Sequence, residues 1–157
     1  MTNHQRVGAV SNAHAGREFE VEALEYFSRV EGIEMTPSIS LPLGVGKKTK
    51  LHRFDLGALE PAVLVECKSH NWMATGNMPS AKVTVRNEAM YYFHLAPKHY
   101  RKVMFVLESR HAKQTDSLAE YYVRINSHLI PDEVEIFEYN PVTKAGRYVS
   151  RRAATVE

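Results

Sequence analysis

The sequence predicts an α/β fold, a mixed central sheet flanked by helices. Three observations predict it. Short apolar runs at 62–68 and 103–107 have the length and bounding turns of buried strands. Segments 12–31 and 80–96 repeat apolar residues at helical spacing, and 117–130 reads as a third helix stopped by Pro131. Segments 50–59 and 134–139 alternate, as half-buried strands do. The predicted order is helix, three strands, helix, strand, helix, strand.

Each element has a local reason. Asn12 is the expected N-cap of the first helix, and Glu18, Glu20 and Glu22 fall toward the positive end of its dipole. Phe19, Ala23, Tyr26, Phe27 and Val30 form its apolar stripe, and Gly32 ends it. Pro37 and Pro42 mark 35–43 as an edge strand. In 50–59, Leu51, Arg53 and Asp55 are expected on one face and His52, Phe54 and Leu56 on the other. Ser80 is the expected cap of the second helix, with Val83, Ala89, Met90 and Phe93 as its stripe and Pro97 as its stop. The strand 134–139 is expected to pair with 147–150 across Asn140-Pro141. The first ten and last few residues are expected to be loose.

A chain of 157 residues is long enough for one domain with a core about 12–139. No apolar run approaches the ~20 residues a membrane helix needs. No apolar signal core follows the N-terminus, and Cys67 is the single cysteine, so a reducing cytoplasm is the expected compartment. The net charge is only +2, yet it is unevenly spread. Residues 17–34 hold six glutamates, while 47–53, 98–102 and 144–152 are basic and acid-free. Those basic segments are expected to be available to phosphates, the solvated face being the plainer alternative.

The chemistry gathers on two strands. Glu66 and Lys68 stand two apart at the end of an apolar run, so they share a face. A short turn at Pro61 makes this strand the neighbour of the one carrying Asp55. Two carboxylates can hold Mg²⁺ or Mn²⁺ through oxygen, and a lysine can orient a water or neutralise charge growing on a phosphate. On a helical wheel with Phe19 at 0°, Glu20 falls at about 100°, at the border of the buried face, and Glu18 at about 260°, in solvent. Glu22 is the other border residue. Glu20 is therefore the first-helix acid best placed to reach the site.

Asp55 and Glu66-Cys67-Lys68 on adjacent strands, after the helix Gly16-Arg17-Glu18-Phe19-Glu20, resemble the PD-(D/E)XK nuclease superfamily, including its Holliday-junction-resolvase-like and Mrr-like small members. The resemblance covers roughly 12–108. It implies a restriction-endonuclease-like α-β-β-β-α-β core. It also implies a Mg²⁺- or Mn²⁺-dependent endonuclease acting on DNA, structure-specific or weakly sequence-specific. Asp55, Glu66 and the carbonyl of Cys67 would bind metal, Lys68 would be the catalytic lysine and Glu20 an accessory acid. A polar residue of the second helix would complete the site, with Lys82, Arg86, Asn87 and Glu88 as candidates. Small relatives pair to cut two strands, so a homodimer is expected. Phe54 stands where the family name has proline, and the second helix lacks the glutamine many members carry. The alternative is a catalytically silent module of the same fold that binds nucleic acid or a partner protein.

Other residues join as substrate contacts. Lys47, Lys48, Lys50 and Arg53 form a basic turn over which a phosphate backbone could pass. Gly44-Val45-Gly46-Lys47-Lys48-Thr49 lacks the spacing and hydroxyl of a phosphate loop, so no nucleotide cofactor is expected. Trp72 could stack on a base or wedge a duplex, or anchor a core or dimer. Lys82 and Arg86 complete the expected substrate set. Cys67 should face away from Glu66 and Lys68 as a buried thiol. His52 and His70 lie close in sequence to the site.

Overall fold

The computed structural model describes the backbone of residues 4–151 and the side chains of residues 13–151. Helix α1 spans His4–Tyr26 and runs into one π-helical turn, Phe27–Glu31. Strands β1 (Thr36–Leu43), β2 (Lys50–Leu59) and β3 (Ala62–Lys68) follow. After them come α2 (Ser80–Leu95), β4 (Arg101–Leu107) and α3 (Leu118–Asn126). A 3₁₀ turn, Ser127–Leu129, leads to β5 (Val134–Asn140) and β6 (Ala145–Ser150).

All six strands form one sheet in sequence order. β1, β2 and β3 are antiparallel because the turns between them are short, and β3, β4 and β5 are parallel because α2 and α3 cross over between them. β6 folds back antiparallel on β5. One face is covered by α1 and the turn after it, whose Phe19, Ala23, Tyr26 and Phe27 pack on Leu56, Val65, Val103 and Phe105. The other is covered by α2 and α3, whose Met90, Phe93, Ala119 and Tyr122 pack on Leu64, Met104, Val106 and Ile136. The expected α/β sheet flanked by helices is present.

Several elements differ locally from the expected ones. α1 begins at His4, so Asn12 lies inside the helix, not at its cap, and 4–10 are helical rather than loose. The wider π turn rotates Val30 out of the stripe, leaving it 51% exposed. Gly32 does end the element, at φ 67°. Ser80 is the first residue of α2, and Pro79 stands at the cap without a side-chain bond. Ser117 caps α3 in a reciprocal pair with Glu120.

The alternation in β2 breaks at Asp55. Phe54 packs in the α2-side core, whereas Leu56, two residues on, packs in the α1-side core. The β1–β2 register is the same on both sides of the break, Ile39↔Phe54 and Pro37↔Leu56. Ser38, between those partners, takes the break up with φ 59°. Phe54 and Leu56 therefore do not share a face as expected.

Two of the three basic segments are occupied. Arg101 is bound by Glu31, Glu135 and Tyr148. Lys102 is buried, its Nζ donating to the carbonyl of Ala96 and to Glu133. Lys144 pairs with Glu22, Arg147 with Glu120 and Glu138, and Arg151 with Glu135. The helix acids and strand acids pair with these cations, so 98–102 and 144–151 are not the acid-free phosphate patches expected, although Lys98 is exposed with no carboxylate within 4 Å among the described residues. Arg152 lies outside the described residues.

Candidate active site

The end of β3 is where the chain places acid against base. Strand alternation turns Glu66 and Lys68 to the α2 side, and Lys68 Nζ donates to Glu66 Oε2 at 3.2 Å. The break in β2 sends His52 to the same side. Its ring lies flat on Tyr92, centroids 3.6 Å apart at 11°, and Nε2 sits 3.4 Å from Glu66 Oε1. Asp55 reaches across to β3, where Oδ2 accepts the N–H of Cys67 at 2.8 Å. The carboxylate of Asp55 is thus held at the peptide next to Glu66.

Burial sets the electrostatics. Glu66 is 5% exposed, and loss of water pushes its carboxyl up to about 7. Lys68 pulls it down and Asp55 pushes it further up. Glu20 on α1 is also raised, by burial and then by Asp55, while Arg53, Arg17 and Lys68 pull the other way. That pattern places Glu20 at this end of the sheet. Glu18 is exposed beside His14, and Glu22 is drawn off to Tyr139 and Lys144. Burial also holds His52 below its ordinary value and the Cys67 thiol well above, so Cys67 is not a nucleophile at neutral pH.

A cleft of about 580 Å³ opens beside Lys68, between Gly16 of α1 and the start of α2. Lys82 and His70 line it. Lys47, Lys48, Lys50 and Arg53 are exposed along the β1–β2 hairpin, and among the described residues none has a carboxylate within 4 Å.

Two expected substrate contacts are not available at the surface. Trp72 is buried edge-on against Tyr121, and its backbone N–H donates to Ser109 Oγ, while its indole Nε1 has no partner among the described residues. It anchors the 69–79 loop to the segment after β4. Arg86 is buried beneath α2, its guanidinium 5.5 Å from the Tyr122 ring centre. His52 is the residue that sequence reasoning passed over as a neighbour only. Its signal was position, three before Asp55, and the face change at Asp55 hides that signal from a simple alternation.

Among the described residues, no three His, Cys, Asp or Glu side chains gather as a complete metal cage. The donor chemistry still suits a hard cation. Mg²⁺ keeps several waters and takes only one or two carboxylates. Glu66 and Asp55 supply two, and the carboxyl of Glu66 is raised first by burial and then by Asp55, against the pull of Lys68. No protein-family model, curated protein or solved structure matches this chain. No described helix is long and apolar enough to cross a membrane.

Proposed function

We propose that this chain is a metal-dependent endonuclease that hydrolyses DNA phosphodiester bonds, with preference for substrate shape or a weak preference for sequence. The observation that carries the reading is the meeting of Asp55, Glu66 and Lys68 at the end of β3, with Glu66 buried and its carboxyl raised by loss of water. The helix-three strands-helix-strand order supports a restriction-endonuclease-like core.

Asp55 and Glu66 would hold Mg²⁺ or Mn²⁺, with the Cys67 carbonyl as a further oxygen. The cation, when bound, would polarise a phosphoryl oxygen and acidify a water. The chain's own groups do the rest. Lys68 lies where its ammonium can orient the attacking water or neutralise charge growing on the phosphate. His52 supports Glu66 from the side opposite Lys68. Glu20 adds a second-rank carboxylate from α1. Arg53 and the hairpin lysines take flanking phosphates. One such site cuts one strand, so a pair of copies would cut a duplex.

Plasmid, nicked, single-stranded and branched DNA incubated with Mg²⁺ or Mn²⁺ tests this directly. Cleavage is expected with the parent and its loss, by at least about 100-fold, with Lys68→Ala and Asp55→Asn. Equal cutting by those variants would sink the assignment. The incomplete donor cage and the Lys68–Glu66 ion pair favour a second reading, a silent binding module of this fold. Calorimetric titration separates the two, since a silent module gives no Mg²⁺ or Mn²⁺ heat that Glu66→Ala removes.

A further inference from the structure

The cleft beside Lys68 has no acid in its lining. Lys68, His70 and Lys82 line it, together with apolar and neutral groups. The first acid in the sequence is Glu18, so nothing earlier in α1 can supply one. Lys82 and Arg86 stand four apart on α2 and share a face. Arg86 lies one turn deeper, 1% exposed, and neither Nη1 nor Nη2 has a hydrogen-bond partner among the described residues. Nδ1 of His70 is also buried and unpartnered. Buried polar atoms are nearly always bonded, so the unmatched His70 nitrogen in the lining, with the Arg86 charge felt behind it, points to something that binds there.

The surrounding charges favour an anion. Burial, and then Arg86, Lys82 and Lys68, hold the His70 imidazole down at about 4, so it is neutral at pH 7. Glu138 is the acid that acts on Arg86; its Oε1 accepts from Arg147, while its Oε2 is buried without a partner among the described residues, so Arg86 is partly balanced from that side. The first turn of α2 opens on the same cleft through Pro79, with no side chain capping its amides. Free amides at a helix start add positive potential.

We propose that this cleft is a phosphate subsite adjoining the carboxylate pair, with Lys68, Lys82 and His70 lining it and Arg86 adding charge from behind the lining without touching the ligand. Its ligand is a phosphate group of a nucleic-acid strand, internal or terminal. The identity of the polymer rests on the nuclease reading, but the phosphate site does not depend on cleavage.

Inorganic phosphate titrated into the full chain without metal, followed by calorimetry, is the test. Saturable binding is expected, weakened about tenfold by Lys82→Ala and similarly by His70→Ala. Lys82 is exposed, so its variant keeps the fold and the test stands even if Arg86→Met fails to fold. Oligonucleotides with 5′-phosphate, 3′-phosphate or hydroxyl ends, in chelator, then identify the source. Tighter binding of one phosphorylated end, lost in Lys82→Ala, assigns a terminal phosphate. Equal binding of all three, weakened alike by Lys82→Ala, assigns an internal one. Absence of saturable phosphate binding, or variants that bind as the parent does, overturns the site. A parent that binds phosphate but cuts nothing would overturn the nuclease reading alone.

Discussion

The two ends of the central parallel strands treat buried acid in opposite ways. Where β4 begins, Arg101 binds Glu31 and Glu135, and Arg151 adds to Glu135. Burial would raise Glu31, but its bonds to Arg101 and Tyr148 hold it below its ordinary value. Where β3 ends, Glu20, Asp55 and Glu66 share Lys68, and both Glu20 and Glu66 are raised. The first end is neutralised by the chain itself. At the second, burial outweighs the pull of the neighbouring cations, at a cost in stability that suits the proposed site.

The comparison breaks hardest at Arg101. Arg101→Met leaves Glu135 buried and Glu31 half-buried without their main cation. Removing one partner of a buried pair costs about 3 kcal/mol or more, and partial exposure of Arg101 keeps the expectation near the low end. Urea unfolding reads this, and a loss under about 1 kcal/mol would mean the cluster is ornamental.

The site end should show the reverse dependence on pH. The folded pKa of Glu66, about 7, lies above its unfolded 4.5, so the folded state binds the extra proton between those values. Stability therefore falls as pH rises from 4.5 to 7, by at most about 3 kcal/mol. At the Arg101 end, the lowered pKa of Glu31 makes stability fall as pH drops below 4.5. Glu66→Gln should flatten the slope between 4.5 and 7 and stabilise the chain at pH 8 but not at pH 4. At pH 8, Mg²⁺ at ten times its dissociation constant should restore about 1.4 kcal/mol to the parent and nothing to Glu66→Gln. A parent whose stability rises from pH 4.5 to 7 would contradict the burial of Glu66.

Much of this contrast was legible in the sequence, and the reasons for the rest are specific. Glu66 and Lys68 on an apolar strand announce themselves, because charge rarely sits on such a run without cause. Glu20 was separable from Glu18 by helical angle, whereas Glu22, the other border residue, is set apart by its bonds to Tyr139 and Lys144. The face change at Asp55 was not legible, since Phe54 and Leu56 are both apolar and both buried, each in a different core. Arg101 looked free because Glu31 lies 70 residues away in sequence, and Lys144 because Glu22 lies 122 away. Trp72 and Arg86 sit in polar stretches that local pattern assigns to the surface. Only the packing of 69–79 and α2 against α3 buries them.

The smallest expected change in stability tests whether pairing decides which cations are left for nucleic acid. Lys47, Lys48 and Lys50 extend from the hairpin, whereas Lys144 and Arg147 are engaged by Glu22, Glu120 and Glu138. Replacing the three hairpin lysines by alanine should shift unfolding by no more than about 0.5 kcal/mol, because no native contact is lost. The same change should weaken duplex DNA binding at low salt. It should also flatten the dependence of log K on log salt by about 0.9 for each phosphate contact removed. Lys144→Ala serves as the control, since its ammonium is already matched by a carboxylate and releases fewer counterions on binding. Should Lys144→Ala flatten that slope as much per residue as the hairpin variant, pairing in the folded chain would not govern access to phosphate. The two kinds of basic segment would then be equivalent after all.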